Sequence, residues 1–234
     1  LVNAFFVSSG SVVETDMSDN SRLLIGVLAL QGAFAAHETM LHRLGVRTRR
    51  VRTSEDLVDL DGLVIPGGES TTMSNLLVSS GMPTSLERAI ADGLPVFGTC
   101  AGMILLASRI RDGRDDQITL NAIDIDVRRN AYGRQVDSFE TFLEVNGVDH
   151  PVPAVFIRAP AIEAHGATVE VLASANDRPC LVRQERVMAS SFHPELTQDT
   201  SIHSIFLDVV RSAVDSTSSP STRRSTVGAS PSQE

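Results

Sequence analysis

Three short stretches of this chain hold residue types that can do covalent chemistry together. Gly98-Thr99-Cys100-Ala101-Gly102 joins an apolar run to a helical pattern, and its small flanking residues permit the sharp strand-to-helix turn that exposes the middle side chain. A thiol there, facing helix N–H groups, is expected to favour the thiolate. The alternative is a buried small apolar residue at a strand–helix junction. Phe192-His193-Pro194-Glu195 ends a later strand pattern, and Pro194 biases His193 towards extended backbone. Side chains two apart then share a face, so Glu195 could orient the His193 imidazole towards a nucleophile. Its alternative is a surface loop. Pro66-Gly67-Gly68-Glu69-Ser70 also lies between a strand and a helix. Its paired glycines let backbone N–H groups approach a ligand or an oxyanion, unless the stretch is an ordinary turn.

Composition narrows the chemistry further. All 20 basic residues are arginines, so Schiff-base, Walker A and kinase-lysine chemistry are not available from this chain. A net charge of −9 argues against general nucleic-acid binding. The local cluster Arg47, Arg49, Arg50 and Arg52 reads either as a solvated strand face or as a contact for an acidic partner. The longest mainly apolar stretch, Leu23 to Leu30, is far short of the roughly 20 residues that cross a bilayer. Cys100 and Cys180 are the two cysteines, too few for a disulfide framework or a structural zinc site, and a cytoplasmic location is expected. Cys180 reads as a strand core residue. His37, His42, His150, His165 and His203 share no metal-ligand spacing and read as helix or loop residues.

These groups need a scaffold that delivers them to one place. Leu24 to Leu30, Val46 to Val51, Gly62 to Ile65 and Pro95 to Gly98 read as short buried strands. Helical patterns run over Phe34 to Leu44, after Ser70, about Ser85 to Asp92 and over Ala101 to Ser108. Alternation of this kind predicts an α/β fold with a mostly parallel central sheet flanked by helices, a flavodoxin-like three-layer sandwich, with functional groups at the carboxyl ends of the strands. The second half adds strand patterns over Ile123 to Val127, Phe142 to Val145, Val155 to Ile157, Thr168 to Leu172, Cys180 to Arg183 and Val187 to Ser191, implying some antiparallel additions. Ser201 to Val214 closes as a helix. Residues 1–22 read as a disordered leader, with Met17 a candidate start, and 215–234 as a disordered Ser-rich tail around one domain at 23–214.

The Cys100 and His193-Pro194-Glu195 motifs together resemble the class I glutamine amidotransferase family. Leu28-Ala29-Leu30-Gln31-Gly32-Ala33, Pro66 to Met73, Arg129 to Phe139 and Phe156-Ile157-Arg158-Ala159-Pro160 narrow the resemblance to the glutaminase subunits of pyridoxal 5′-phosphate synthase, over about residues 24 to 210. The resemblance implies a Cys100, His193 and Glu195 triad and a glutamine site at Gly68, Glu69, Ser70, Arg129, Ile157 and Arg158. It also implies a partner synthase subunit that receives ammonia, with Gln31 and Gly32 at the partner face. In that setting Glu69 could pair with the substrate ammonium, and the N–H groups of Gly68 and Ala101 could hold the oxyanion. The expected chemistry passes through a γ-glutamyl thioester and calls for no metal or organic cofactor. Arg134, Gln135 and Asp137 suggest a polar network near the site. Two other readings stay open: a free-standing γ-glutamyl hydrolase or a glutaminase of another amidotransferase, and a non-catalytic binding module.

Overall fold

The computed structural model describes residues 20–114, 117–129 and 138–218. The first half alternates as its sequence periods require: β1 (Leu24–Leu28), α1 (Phe34–Arg43), β2 (Arg47–Val51), β3 (Gly62–Ile65), α2 (Ser70–Ser80), α3 (Pro83–Ala91), β4 (Val96–Thr99) and α4 (Ala101–Leu106). The second half is strand-rich: β5 (Ala107–Ile110), β6 (Ile123–Arg128), β7 (Ser138–Leu143), β8 (Val152–Ile157), β9 (Ala161–His165), β10 (Glu170–Ala175), β11 (Arg178–Gln184) and β12 (Val187–Ser190). A 3-10 turn at Pro194–Leu196 leads to the last helix, α5 (Ser201–Ser218).

The central sheet has the order β10-β11-β12-β4-β3-β1-β2. From β12 to β2 every neighbouring pair is parallel, while β10, β11 and β12 pair antiparallel. The fold is therefore the expected α/β sandwich with antiparallel additions. Alternate strand residues face opposite layers. Val27, Val64, Phe97 and Met188 pack towards α1 and α5, where Leu41, Ile202 and Phe206 complete one core. Leu28, Ile65, Val96 and Ala189 face the other way, onto Met73 and Leu77 of α2, Leu86 of α3 and Met103 of α4. β5, β6 and β9 form a separate three-stranded sheet, and β7 with β8 a ribbon.

Three sequence expectations change. The helical pattern continues to Ser108, but α4 ends at Leu106 and Ala107 starts β5. The N–H groups of Leu120 and Ala122 take the carbonyls of Leu105 and Leu106 at 2.7 and 2.8 Å, and that long-range pairing ends the helix. α5 runs past Asp215 to Ser218, whereas composition puts the tail's start at Asp215. Asn20, expected in the leader, is buried, and its amide donates to the Leu44 carbonyl at 2.8 Å. Residues 1–19 and 219–234, and Arg134, Gln135 and Asp137, lie outside the described residues.

The arginines of the edge strand β2 find partners within the chain. Arg50 makes a two-pronged contact with Glu38 of α1, and Arg49 donates to the Val58 carbonyl at 2.6 Å. Charged residues on an edge strand also discourage pairing with another chain. Among the described residues, no helix is long and apolar enough to cross a membrane.

Candidate active site

The chain reverses its strand order where β1 lies between β2 and β3, the place in an open parallel sheet where loops diverge and leave a crevice. Gln31 follows β1, Gly67 and Gly68 follow β3, Cys100 follows β4 and His193 follows β12. All five line a pocket of about 430 Å³ at the carboxyl ends of these strands.

Cys100 occupies the turn between β4 and α4 with φ 49° and ψ −103°. Positive φ is strained for a residue with a side chain, and such strain concentrates at functional sites. The backbone is held there from both sides, since the Cys100 N–H donates to the Ser190 carbonyl at 2.8 Å and its carbonyl accepts from the Ile104 N–H at 3.2 Å. Gly102, two residues on, sits so close to the Ile65 carbonyl that any side chain would collide with it, which lets α4 start tight against β3.

His193 Nδ1 lies 2.7 Å from Glu195 Oε1, with both residues buried. The two side chains meet as expected but by a different route. Pro194 to Leu196 form a 3-10 turn rather than extended chain, because the fixed φ of proline suits the first position of a helical turn. Burial alone would push the His193 pKa down. Hydrogen bonds to Cys100 and Glu195, together with their charges, outweigh it and hold the imidazole at about 10. Burial likewise pushes the Glu195 carboxyl up, but the neighbouring His37 and His193 bring it below its usual value. A side chain at Gly67 would strike the His193 ring and come within 3.3 Å of Cys100 Cβ, so this glycine brings the backbone against thiol and imidazole together.

The positions expected to bind substrate all line the pocket: Gly68, Glu69, Ser70, Arg129, Ile157 and Arg158. Ala101 is buried at the first position of α4, and its N–H is among those a helix start leaves unpaired. Glu69 has a role that its sequence context did not suggest. Its carboxylate accepts from the N–H groups of Thr71 and Thr72, at 3.0 and 2.7 Å, and from the Thr72 hydroxyl, capping α2. The Thr72 hydroxyl first, against a smaller burial penalty, and then the two N–H groups hold its pKa down to about 2. Arg129 reaches the same turn, donating to Thr71 Oγ1 at 3.1 Å and to Gln117 Oε1 at 2.7 Å. Gln31, expected at a partner face, turns its Oε1 onto the Glu69 N–H at 3.2 Å and covers Gly68.

Sequence reasoning passed over two histidines. His37 on α1 and His203 on α5 are fully buried behind the Glu195 carboxylate. A signal existed, because His37 shares a helical stripe with the buried Met40 and Leu41. A histidine on an apolar stripe must find polar partners. Cys180 lies in β11, where burial pushes its thiol up to about 12. Among the described residues, no group of three or more His, Cys, Asp or Glu is arranged to hold a metal ion.

Comparison with known proteins gives the family. The sequence profile of the SNO glutamine amidotransferase family matches residues 27–212. Pyridoxal 5′-phosphate synthase subunit PdxT of Corynebacterium jeikeium is 55% identical over 190 residues, covering 81% of this chain and 97% of that protein. PdxT of Mycobacteroides abscessus is 55% identical over 188 residues, covering 80% and 97%. A crystal structure of a glutamine amidotransferase superposes with a TM-score of 0.76 at 47% identity, over 80% of this chain and 98% of that one. With a Cys-His-Glu site at its strand ends and relatives matched along nearly their whole length, the chain belongs to the SNO glutamine amidotransferase family.

Proposed function

We propose that this chain is the glutaminase subunit of a pyridoxal 5′-phosphate synthase. It hydrolyses L-glutamine to L-glutamate and delivers the ammonia to a synthase subunit. The observation that carries this reading is the line Cys100, His193, Glu195 at the base of a pocket large enough for one amino acid. The Cys100 thiolate attacks the side-chain amide carbon, and the carbonyl oxygen becomes an oxyanion held by the N–H groups of Gly68 and Ala101. The His193 imidazolium gives its proton to the departing nitrogen, ammonia leaves, and a γ-glutamyl thioester remains. His193, now neutral, takes a proton from water, which attacks the thioester and releases glutamate. Glu195 keeps the imidazole oriented through both steps.

Gly68, Glu69, Ser70, Arg129, Ile157 and Arg158 bind glutamine in this reading. Glu69 spends its strongest lone pairs on α2, so it meets a substrate ammonium from its exposed side while Arg129 steadies the same turn. Ammonia released to bulk water at neutral pH is protonated and loses the lone pair that makes it a nucleophile. Direct transfer avoids that loss. A chain without lysine cannot form imines with sugar phosphates, so that chemistry falls to the partner. The two free thiols fit work in the cytoplasm, and the domain takes in Asn20 at one end and the last helix to Ser218 at the other.

Glutamate release measured with and without the synthase subunit tests the reading. Weak hydrolysis alone and a rise on adding the partner are expected, with Cys100→Ala inactive yet folded. Full activity alone would favour a free-standing hydrolase, and an active Cys100→Ala protein would refute the nucleophile.

A further inference from the structure

Glu195 has a second carboxylate oxygen, and what faces it is histidine. Oε1 is engaged by His193, whereas Oε2 is buried without a hydrogen-bond partner, and His37 Nε2 stands 3.4 Å from it. The same Nε2 lies 3.2 Å from Thr99 Oγ1, one residue before the nucleophile. On its other side His37 Nδ1 lies 2.9 Å from Nε2 of His203. His203 Nδ1 is buried without a hydrogen-bond partner. The ionisable groups around His37 are therefore Glu195, His193 and His203, with Phe97 packed edge-on.

One placement of the protons leaves this chain at least cost. If His37 carries its proton on Nδ1, it donates to His203 Nε2, and neutral His203 must carry a proton on Nδ1, a buried donor with no acceptor. Glu195 Oε2 would then face a lone pair, with no donor at all. If His37 carries its proton on Nε2, it donates towards Glu195 Oε2 and Thr99 Oγ1, while His203 Nε2–H donates to His37 Nδ1. Glu195 Oε2, without a formed hydrogen bond in either case, then faces a proton, and His203 Nδ1 is left with a bare lone pair. An unpartnered buried charge or N–H costs more than that. Burial also lowers the pKa of His37, against the pull of Glu195, and brings His203 to about 3, so both rings are neutral at neutral pH.

We propose that His37 is a positioning residue for the triad: its Nε2–H, held in that tautomer by His203, is poised between Thr99 Oγ1 and Glu195 Oε2 and becomes the second donor to the Glu195 carboxylate when charge develops on His193. The inference rests on the triad reading and deepens it. At 3.4 Å the contact is long, as catalytic hydrogen bonds commonly are before the reacting charge develops. It matters most when His193 is an imidazolium and Glu195 must hold its orientation and its full charge.

The test uses the full chain, alone and with the synthase subunit. His37→Leu keeps bulk and removes the donor, while His37→Gln places an amide N–H near the lost Nε2. His37→Leu is expected to lower kcat about 10- to 100-fold with KM nearly unchanged, the usual scale for partners that orient active-site groups. His37→Gln should recover most of the loss. Nitrogen-15 spectra of the wild-type imidazoles should show His37 neutral with its proton on Nε2. A proton on Nδ1, or on both nitrogens, overturns the proposal even if every variant fails to fold. So does a His37→Leu protein with wild-type kcat. Wild type and Cys100→Ala are run beside them. A wild type inert towards glutamine refutes the glutaminase reading and the positioning role with it, whereas an active wild type with an indifferent His37→Leu refutes only the role of His37.

Discussion

At Gly67 the absence of a single methyl group decides whether a thiol and an imidazole can meet. A Cβ there would collide with the His193 ring. Gly67→Ala is therefore expected to fold, because the added methyl meets side-chain atoms of His193 and Cys100 rather than backbone, yet to push the imidazole off its line to Cys100. Misplacement of about 1 Å can cost about 100-fold in rate, so kcat should fall by about that factor, read by glutamate release beside circular dichroism. The histidines of the site make a second prediction at this scale. His193 is raised to about 10, so the folded protein holds its proton where the unfolded chain has lost it. The stability this contributes is fully present below about pH 6.5 and declines as pH rises from there through about 10. His203, at about 3, behaves in the opposite sense and stays neutral throughout. An imidazole titration followed by nitrogen-15 NMR should find His193 protonated and His203 neutral at pH 8. A neutral His193 at that pH would contradict the ion-pair form of the mechanism.

Among the elements, α2 shows how one side chain serves both stability and the pocket. Glu69 caps its first turn, and replacing such a cap by alanine typically costs about 1 kcal/mol. Glu69→Ala should lose about that much in urea unfolding at neutral pH. Because the carboxyl is depressed from 4.5 to about 2, its contribution is present above pH 4.5 and is lost as pH falls through about 2. The difference between wild type and variant should shrink across that window. The start of α2 was readable because a glycine pair after an apolar run ends the strand and frees the chain to turn into a helix. The ends of β4 and β12 were readable from other marks, the small residues around Cys100 and Pro194 after His193, and with them the meeting point of Gly68, Cys100 and His193. The break between α4 and β5 was not. Leu105, Leu106 and Ala107 carry a helical pattern, and what ends it is the return of residues 120–122 from a distant segment. His37 and His203 were missed for a related reason: 166 residues separate them, and each acquires meaning only from the other and from Glu195.

Across the whole molecule, the site depends on a sheet clad on both faces, and the face under α5 supports it from behind. Phe206 is fully buried and lies against Phe97 with ring centroids 5.7 Å apart. Phe97 in turn packs edge-on to both His37 and His203. Removing the Phe206 ring leaves a cavity beside β4, the strand that carries Thr99 and Cys100. Phenylalanine-to-alanine changes in cores cost about 3–5 kcal/mol, a large share of a stability that for most domains is about 5–15 kcal/mol. Phe206→Ala is expected to lower the denaturation midpoint by a corresponding amount while leaving the chain folded at 25 °C. The catalytic consequence separates two ways in which the core can serve the site. If Phe97 merely fills space, the folded variant keeps its kcat. If the ring wall holds the histidine pair against Glu195, kcat falls together with stability, and His37→Leu introduced into Phe206→Ala adds little further loss. A double-mutant cycle on kcat reads that coupling directly, and additive losses would mean that the hydrophobic layer and the histidine relay act independently.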